Sequence, residues 1–352
     1  MKFIHAADIH LDSPITGLES YEGAPVEEAR EASRKAFINL VDLAVSEKVD
    51  FVLIAGDLFD GDWKDYNTGL FLAAQTARLK DEGVPAFIVS GNHDAASRIT
   101  KHLRMPDNVK FFSSSAPETV MLEGLGIALH GQGYSSRAVS DDLSADYPQA
   151  LPNYFNIGLL HTSLDGRPGH ERYAPSTPAG LLSKGYDYWA LGHVHASEVV
   201  RKAPWIVFPG NIQGRNIRET GPKGCTLVKV DDDGVVDAGH RDLDVFRWAF
   251  LNVDGSEAKD FDDLCDLISR KLAAAWRDNS RMPLAVRLEV VGAPGKDVPE
   301  DPERLRNELR SLAYQAGEGG IWLEKIHFSG DEPAVFTSSG GQAVSVLLET
   351  IE

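Results

Sequence analysis

Cysteine is nearly absent from this chain, with Cys225 and Cys265 as the whole supply. Two thiols cannot build a disulfide framework, and they fit a reduced, cytoplasmic protein. No apolar run approaches the length of a membrane span, so the membrane is not among the expected partners. The opening stretch, Met1-Lys2-Phe3-Ile4-His5, has strand character and does not read as a secretory signal. Basic charge is also scarce. Lysine and arginine number 35 against 53 acids, a formal net charge of −18. That balance argues against a surface that coats nucleic acid without discrimination. The deficit is uneven, however: residues 231–352 carry a net −12 and residues 1–230 only −6. From Arg201 to Lys223 there are five basic residues and one acid, a local strip compatible with a polyanionic substrate. Internal repeats and low-complexity tracts are missing too.

What is present is a core. Apolar residues make up 43% of 352, enough for two domains. Lys2 to Ala7, Phe51 to Ile54 and Ala86 to Val89 read as strands. Helices are expected between them, from about Pro25 to Glu47 and from about Asn67 to Glu82. Ala36, Phe37, Leu40, Val41 and Ala44 form the apolar stripe of the first helix. This alternation predicts a parallel sheet with helices on its faces. From residue 109 onward short strands follow one another without long helices, which predicts a second, mixed sheet packed on the first. The fold class is therefore α/β, a two-sheet sandwich flanked by helices, with a small C-terminal α+β domain. The expected domains are 1–244 for the sandwich, 245–330 for the small domain, which would cap the site or position substrate, and 331–352 for a tail.

The polar residues fall at strand exits. Asp8-Ile9-His10 follows the first strand, Gly56-Asp57 the second and Gly91-Asn92-His93-Asp94 the third. Downstream, His161 ends one strand and Gly192-His193-Val194-His195 ends another. Each motif alone is ordinary turn chemistry. Together they lie on the edge where open parallel sheets place their ligand sites, so convergence on one site is predicted. Residues i and i+2 of an extended segment point the same way, about 7 Å apart, so Asp8 and His10 can approach one cation. His193 and His195 can share a cation or divide between two. Asp57 has two oxygens and can bridge a pair, while Asn92 and His161 add an amide oxygen and an imidazole. This mixed oxygen and nitrogen set suits Mn²⁺, Fe²⁺ or Zn²⁺ better than Ca²⁺. Two such ions about 3.5–4 Å apart can clamp a phosphoryl centre and activate water. His93, next to a ligand, would face the phosphate as acid or charge stabiliser, and Asp94 could orient its ring. Arg215 and Arg218 are candidate phosphate contacts, and Tyr173 is a candidate platform for a base. His5, inside a strand, reads as a packed or hydrogen-bonded residue.

These motifs resemble those of the calcineurin-like metallophosphoesterase superfamily. The stretches His5 to Pro14, Gly56 to Asp60 and Asn211 to Arg215 further resemble SbcD-type DNA repair exonucleases of the YhaO-like branch. The resemblance covers roughly residues 1–330. It implies a double-stranded-DNA exonuclease with single-strand endonuclease activity, dependent on Mn²⁺. It also implies DNA and an SbcC-like ABC ATPase with a long coiled coil as partners, and allows a homodimer. By family pattern Asp8, His10, Asp57 and His195 would hold one metal, and Asp57, Asn92, His161 and His193 the other. One departure stands out: Asp60 occupies a position that is His in the eukaryotic and archaeal recombination nucleases, so no DNA-positioning role carries over to it. Two other readings compete: a metallophosphoesterase for a small phosphodiester or phosphomonoester such as a cyclic nucleotide, and a scaffold without catalysis. The complete ligand set argues against the scaffold.

Overall fold

The computed structural model describes residues 1–13, 26–60, 66–96, 104–166, 173–231, 234, 236–292, 298–299 and 301–329. Pro25, His102, His170 and the tail 331–352 lie outside the described residues. The first compact unit comprises Met1–Ala249 with Met282–Ala285. Its opening elements are β1 (Lys2–Ala6), α1 (Val26–Glu47), β2 (Phe51–Ala55), α2 (Tyr66–Asp81), β3 (Ala86–Val89), α3 (Asn92–Ala96) and β4 (Val109–Phe111). Next come β5 (Glu118–Leu122), β6 (Ile127–Gly131), β7 (Phe155–His161), α4 (Pro178–Leu182) and β8 (Tyr188–Gly192). β9 (Glu198–Lys202), β10 (Trp205–Phe208), β11 (Gly224–Val230) and β12 (Val236–Asp242) complete the two sheets.

One six-stranded sheet runs β12-β11-β1-β2-β3-β4 and the other β5-β6-β7-β8-β10-β9. Strands β1 to β4 are mutually parallel. The expected second sheet proves smaller in sequence than its pattern implied. β4 joins β3 in parallel, and β11 returns to pair antiparallel with β1, Lys2 opposite Lys229 and His5 opposite Thr226. The edge of β1 would otherwise expose unpaired backbone groups, and the β11-β12 hairpin covers it.

The period-two alternation of the strands sorts side chains into layers. Ile4, Ala6, Val52, Ile54, Ala86 and Ile88 pack against Ala36, Phe37, Leu40, Val41 and Ala44 of α1. Their neighbours Phe3, Phe51, Leu53, Ala55, Phe87 and Val89 face the other sheet and meet Ile127, Leu129, Ile157, Leu159, Tyr188 and Ala190. β2 is buried at every position, as a strand covered on both faces must be. Trp189, Leu191, Ile206 and Phe208 pack on the outer face of the second sheet with Tyr147, Leu164 and Leu181. Each fully buried Leu, Ile or Phe contributes on the order of 1.5–3 kcal/mol, so these layers dominate the stability of the unit.

Polar ties also cross between the sheets. His5 on β1 is fully buried; its Nε2 donates to the carbonyl of Leu191 at 3.0 Å, and its Nδ1 accepts from the Tyr188 hydroxyl at 3.0 Å. Burial pushes this imidazole down to about 3, so it stays neutral.

The second unit comprises Phe250–Arg281 and residues from Val286 onward. It holds α5 (Phe261–Asp278), α6 (Pro302–Ala316), β15 (Ile321–Ser329) and the larger parts of β13 (Arg247–Asp254) and β14 (Leu284–Val291), with sheet order β13-β14-β15. Asp260 caps α5 by accepting the Asp263 N–H at 2.9 Å, and Phe261, Leu264, Ile268 and Leu272 form its buried stripe.

Candidate metal centre

The strand exits of both sheets converge. The Asp8 N–H donates to the Gly56 carbonyl and the His10 N–H to the Asp57 carbonyl, both at 3.0 Å, so the loops after β1 and β2 run side by side. Reaching inward from these loops demands unusual backbone. Asp8, His10, Asp57 and His193 all have positive φ, at 50°, 46°, 51° and 104°. Each such residue costs roughly 1–3 kcal/mol and persists only where its surroundings over-determine it. Two glycines allow the close approach. A Cβ on Gly91 would run into the Asp57 carboxylate, and one on Gly192 into the Ala55 carbonyl.

Hydrogen bonds fix the facing atoms. Asp57 Oδ1 accepts the His93 N–H at 2.9 Å. Its other oxygen, Oδ2, lies 3.9 Å from His10 Nε2 and 3.5 Å from His161 Nε2, between two imidazoles. His161 Nδ1 donates to the Ala55 carbonyl at 2.9 Å. A neutral ring therefore turns its Nε2 lone pair toward Asn92 Oδ1, 3.0 Å away, and toward Asp57. The Asp8 carboxylate accepts the His193 N–H at 3.0 Å and stands 3.8 Å from His195 Nε2. The His10 ring has no hydrogen-bond partner at either nitrogen and is 1% exposed. Asp8, His10 and His195 offer ligand atoms within 4.8 Å of one another, and so do Asp8, Asp57 and His161. His193 packs its ring edge-on to His161, with centroids 5.2 Å apart.

Lone pairs facing lone pairs in a buried site repel unless a cation lies among them. Burial, then the Asp57 charge, pushes the Asp8 carboxyl well above the usual range. Burial likewise raises Asp57, and burial followed by the Arg215 charge lowers His10. Two carboxylates disfavoured by burial, a partnerless imidazole and lone pairs aimed inward fit a divalent-metal site of mixed oxygen and nitrogen donors.

At the rim, His93 Nδ1 sits 2.7 Å from Asp60 Oδ1, and the Ser13 hydroxyl donates to Asp60 Oδ2 at 2.6 Å. The hydrogen bond from His93 holds Asp60 down to about 2, and the same bond raises His93. The expectation that Asp94 orients this ring is overturned. Asp94 accepts the backbone N–H groups of Leu58, Phe59 and Gly91, at 3.1, 2.8 and 2.9 Å. The short helix α3 turns its side chain back onto the loop after β2, where it ties backbone together. Sequence reasoning passed over Asp60 as an imidazole partner, although its position three residues beyond Asp57 was the available signal.

Arg215 reaches the same rim. Its Nη2 lies 3.2 Å from Glu219 Oε1 and its Nη1 4.0 Å from Asp60 Oδ2, while its Nε is buried without a partner. Arg218, three residues on, is exposed, and its backbone N–H bonds to Asn216. The same turn aims one arginine inward and leaves the other in solvent, so Arg218 is not part of the cluster. Tyr173 borders the site, its ring edge-on to His193 at 6.1 Å. Tyr134, not foreseen, packs edge-on to His161 at 5.4 Å with a buried hydroxyl that has no partner. Glu219, also not foreseen, accepts from His195 Nδ1 at 2.8 Å. No motif announces it.

The calcineurin-like phosphoesterase family matches residues 1–197, and the middle domain of metallophosphoesterase YhaO matches residues 248–330. The chain belongs to the calcineurin-like metallophosphoesterases, a family that works with divalent metal ions. It is 36% identical to the "Uncharacterized metallophosphoesterase YhaO" of Bacillus subtilis, over 90% of this chain and 78% of that one. It is 24% identical to the "DNA double-strand break repair protein Mre11" of Methanopyrus kandleri, over 90% of this chain and 68% of that one. The protein of the same name from Sulfurisphaera tokodaii is 27% identical, over 66% of this chain and 60% of that one. No helix among the described residues is long and apolar enough to cross a membrane.

Proposed function

We propose that this chain is a Mn²⁺-dependent nuclease that hydrolyses phosphodiester bonds in DNA. The observation that carries the metal part is the buried His10 ring, partnerless at both nitrogens and set among the Asp8 and Asp57 carboxylates. In this reading Asp8, His10, Asp57 and His195 hold one ion, and Asp57, Asn92, His161 and His193 hold the other. When bound, the pair supplies Lewis acidity toward phosphoryl oxygens and an acidified water. Fe²⁺ or Zn²⁺ satisfies the same donor set.

The remaining work falls to side chains. His93, anchored through Nδ1 to Asp60, directs Nε2 away from that carboxylate and can protonate the leaving oxygen. Arg215 has a buried Nε–H without an acceptor, which a substrate phosphate oxygen would supply. Tyr173, beside His193, offers a face for a base. Residues 245–330 serve as a substrate-positioning domain. DNA as substrate is supported by the Mre11 relatives, and an SbcC-like ATPase and a second copy of this chain are the corresponding candidate partners.

The test incubates linear duplex DNA with Mn²⁺ and the protein, beside p-nitrophenyl phosphate esters. DNA cleavage by wild type is expected. His93→Ala should retain its metal while losing about 10²–10⁴-fold in rate. Hydrolysis of the small diester alone would favour a cyclic-nucleotide type of substrate and end the DNA reading. Full activity in His93→Ala would remove that residue from the reaction.

A further inference from the structure

Glu219 is 8% exposed, and four donors converge on its carboxylate. Oε1 accepts from His195 Nδ1 at 2.8 Å and from Arg215 Nη2 at 3.2 Å. Oε2 accepts the Arg215 backbone N–H at 2.8 Å and the Asn211 amide at 2.9 Å. An ionised carboxylate has about four acceptor positions, so these donors use its capacity and leave none for a metal. An ionised carboxylate also only accepts, which places the proton of a neutral His195 on Nδ1. The lone pair is then on Nε2, the nitrogen that faces Asp8 and belongs to the Asp8, His10 and His195 group. The same oxygen that fixes this tautomer also holds the guanidinium of Arg215.

We propose that Glu219 is a positioning residue that couples ion binding at Asp8, His10 and His195 to phosphate binding by Arg215. The inference rests on the reading that these three residues hold a divalent ion. When His195 Nε2 gives its lone pair to a cation, its Nδ1–H becomes a stronger donor and takes a larger share of Oε1. Arg215 is then less neutralised and presents more of its charge to an incoming phosphate. Linkage requires the converse, that phosphate on Arg215 tightens the ion at His195.

The experiment uses the full chain as wild type, Glu219→Gln and Arg215→Ala. Mn²⁺ is titrated calorimetrically into each metal-free protein, and inorganic phosphate into each Mn²⁺-loaded protein. Glu219→Gln should lose about 10–100-fold in affinity at one of two ions, the range for partners that orient a metal-bound imidazole. Its phosphate affinity should rise, because Gln leaves Arg215 without the carboxylate that neutralises it. Arg215→Ala should lose phosphate affinity only, and bind Mn²⁺ as well as wild type or better because a nearby positive charge is gone. The visible absorption of the Co²⁺-loaded protein should change in Glu219→Gln and not in Arg215→Ala, which separates ligand orientation from general loosening. Wild-type Mn²⁺ affinity and an unaltered Co²⁺ spectrum in Glu219→Gln would overturn the proposal. Weakened Mn²⁺ with unchanged phosphate affinity would overturn the coupling. If Glu219→Gln does not fold in its metal-free form, Glu219→Asp replaces it, with a smaller loss of Mn²⁺ affinity and a smaller gain in phosphate affinity expected and the same results overturning it. A wild type that takes up no Mn²⁺ would refute the metal reading itself, and the coupling with it.

Discussion

At the scale of single residues, the site depends on which nitrogen of each ring carries its proton. Carbonyl and carboxylate partners decide this for His161 and His195, and neither partner is adjacent in sequence. His5 shows the same logic away from the site. Its folded value lies near 3 and its unfolded value near 6.5. Above pH 6.5 the ring is neutral in both states and contributes no pH dependence. Below that the unfolded chain takes up a proton that the folded chain refuses, so stability falls until about pH 3. The slope from this one group is about 1 kcal/mol per pH unit. His5→Asn is expected to be less stable at pH 7 yet to lose less stability between pH 6.5 and 4.5, as urea unfolding at each pH would show. Parallel pH profiles for the two proteins would mean that His5 is charged in the fold.

At the scale of elements, strand exits explain what could be read in advance. Asp8, Asp57 and Asn92 were legible because a β-α-β pattern places its exits on one edge, and His161, His193 and His195 because they too stand where apolar strands end. His10 was legible because it stands two residues from Asp8. The partners of these residues were not. Asp60 and Glu219 act through contacts set by loop conformation, and Asp94 misled because proximity in sequence to His93 is not proximity of side chains on α3. The edge pairing of β11 with β1 was equally hidden, since a short apolar run does not name its neighbour. The positive φ values at Asp8, His10, Asp57 and His193 leave no mark in the sequence, because none of the four is glycine. Glycine marks the crowding instead. Gly192→Ala would press a methyl on the Ala55 carbonyl that His161 also uses. It is expected to destabilise the metal-free fold by about 1–3 kcal/mol, the range for overpacking, and to weaken Mn²⁺ binding as well. An urea midpoint equal to wild type would contradict the packing.

At the scale of the whole molecule, the buried acids of the site make stability depend on loading. Without a cation, Asp8 and Asp57 are carried at a cost; with one, that cost is offset. Mn²⁺ at 100 times its dissociation constant should add about 2.7 kcal/mol per site to the stability. A chelator should lower the melting temperature accordingly, and a transition indifferent to both would contradict two-ion binding. The formal charge of −18 adds a second constraint: on the proposed reading, DNA would have to be met by a local basic surface, against repulsion from the rest. The ties that shape the metal centre also join the two sheets. His161 on β7 grips the backbone of β2, and the amide of His193 after β8 grips Asp8 after β1. The candidate site is therefore a seam. Any fluctuation that parts the two layers also disperses these side chains, so the cluster lasts only as long as the halves of the sandwich stay sewn together.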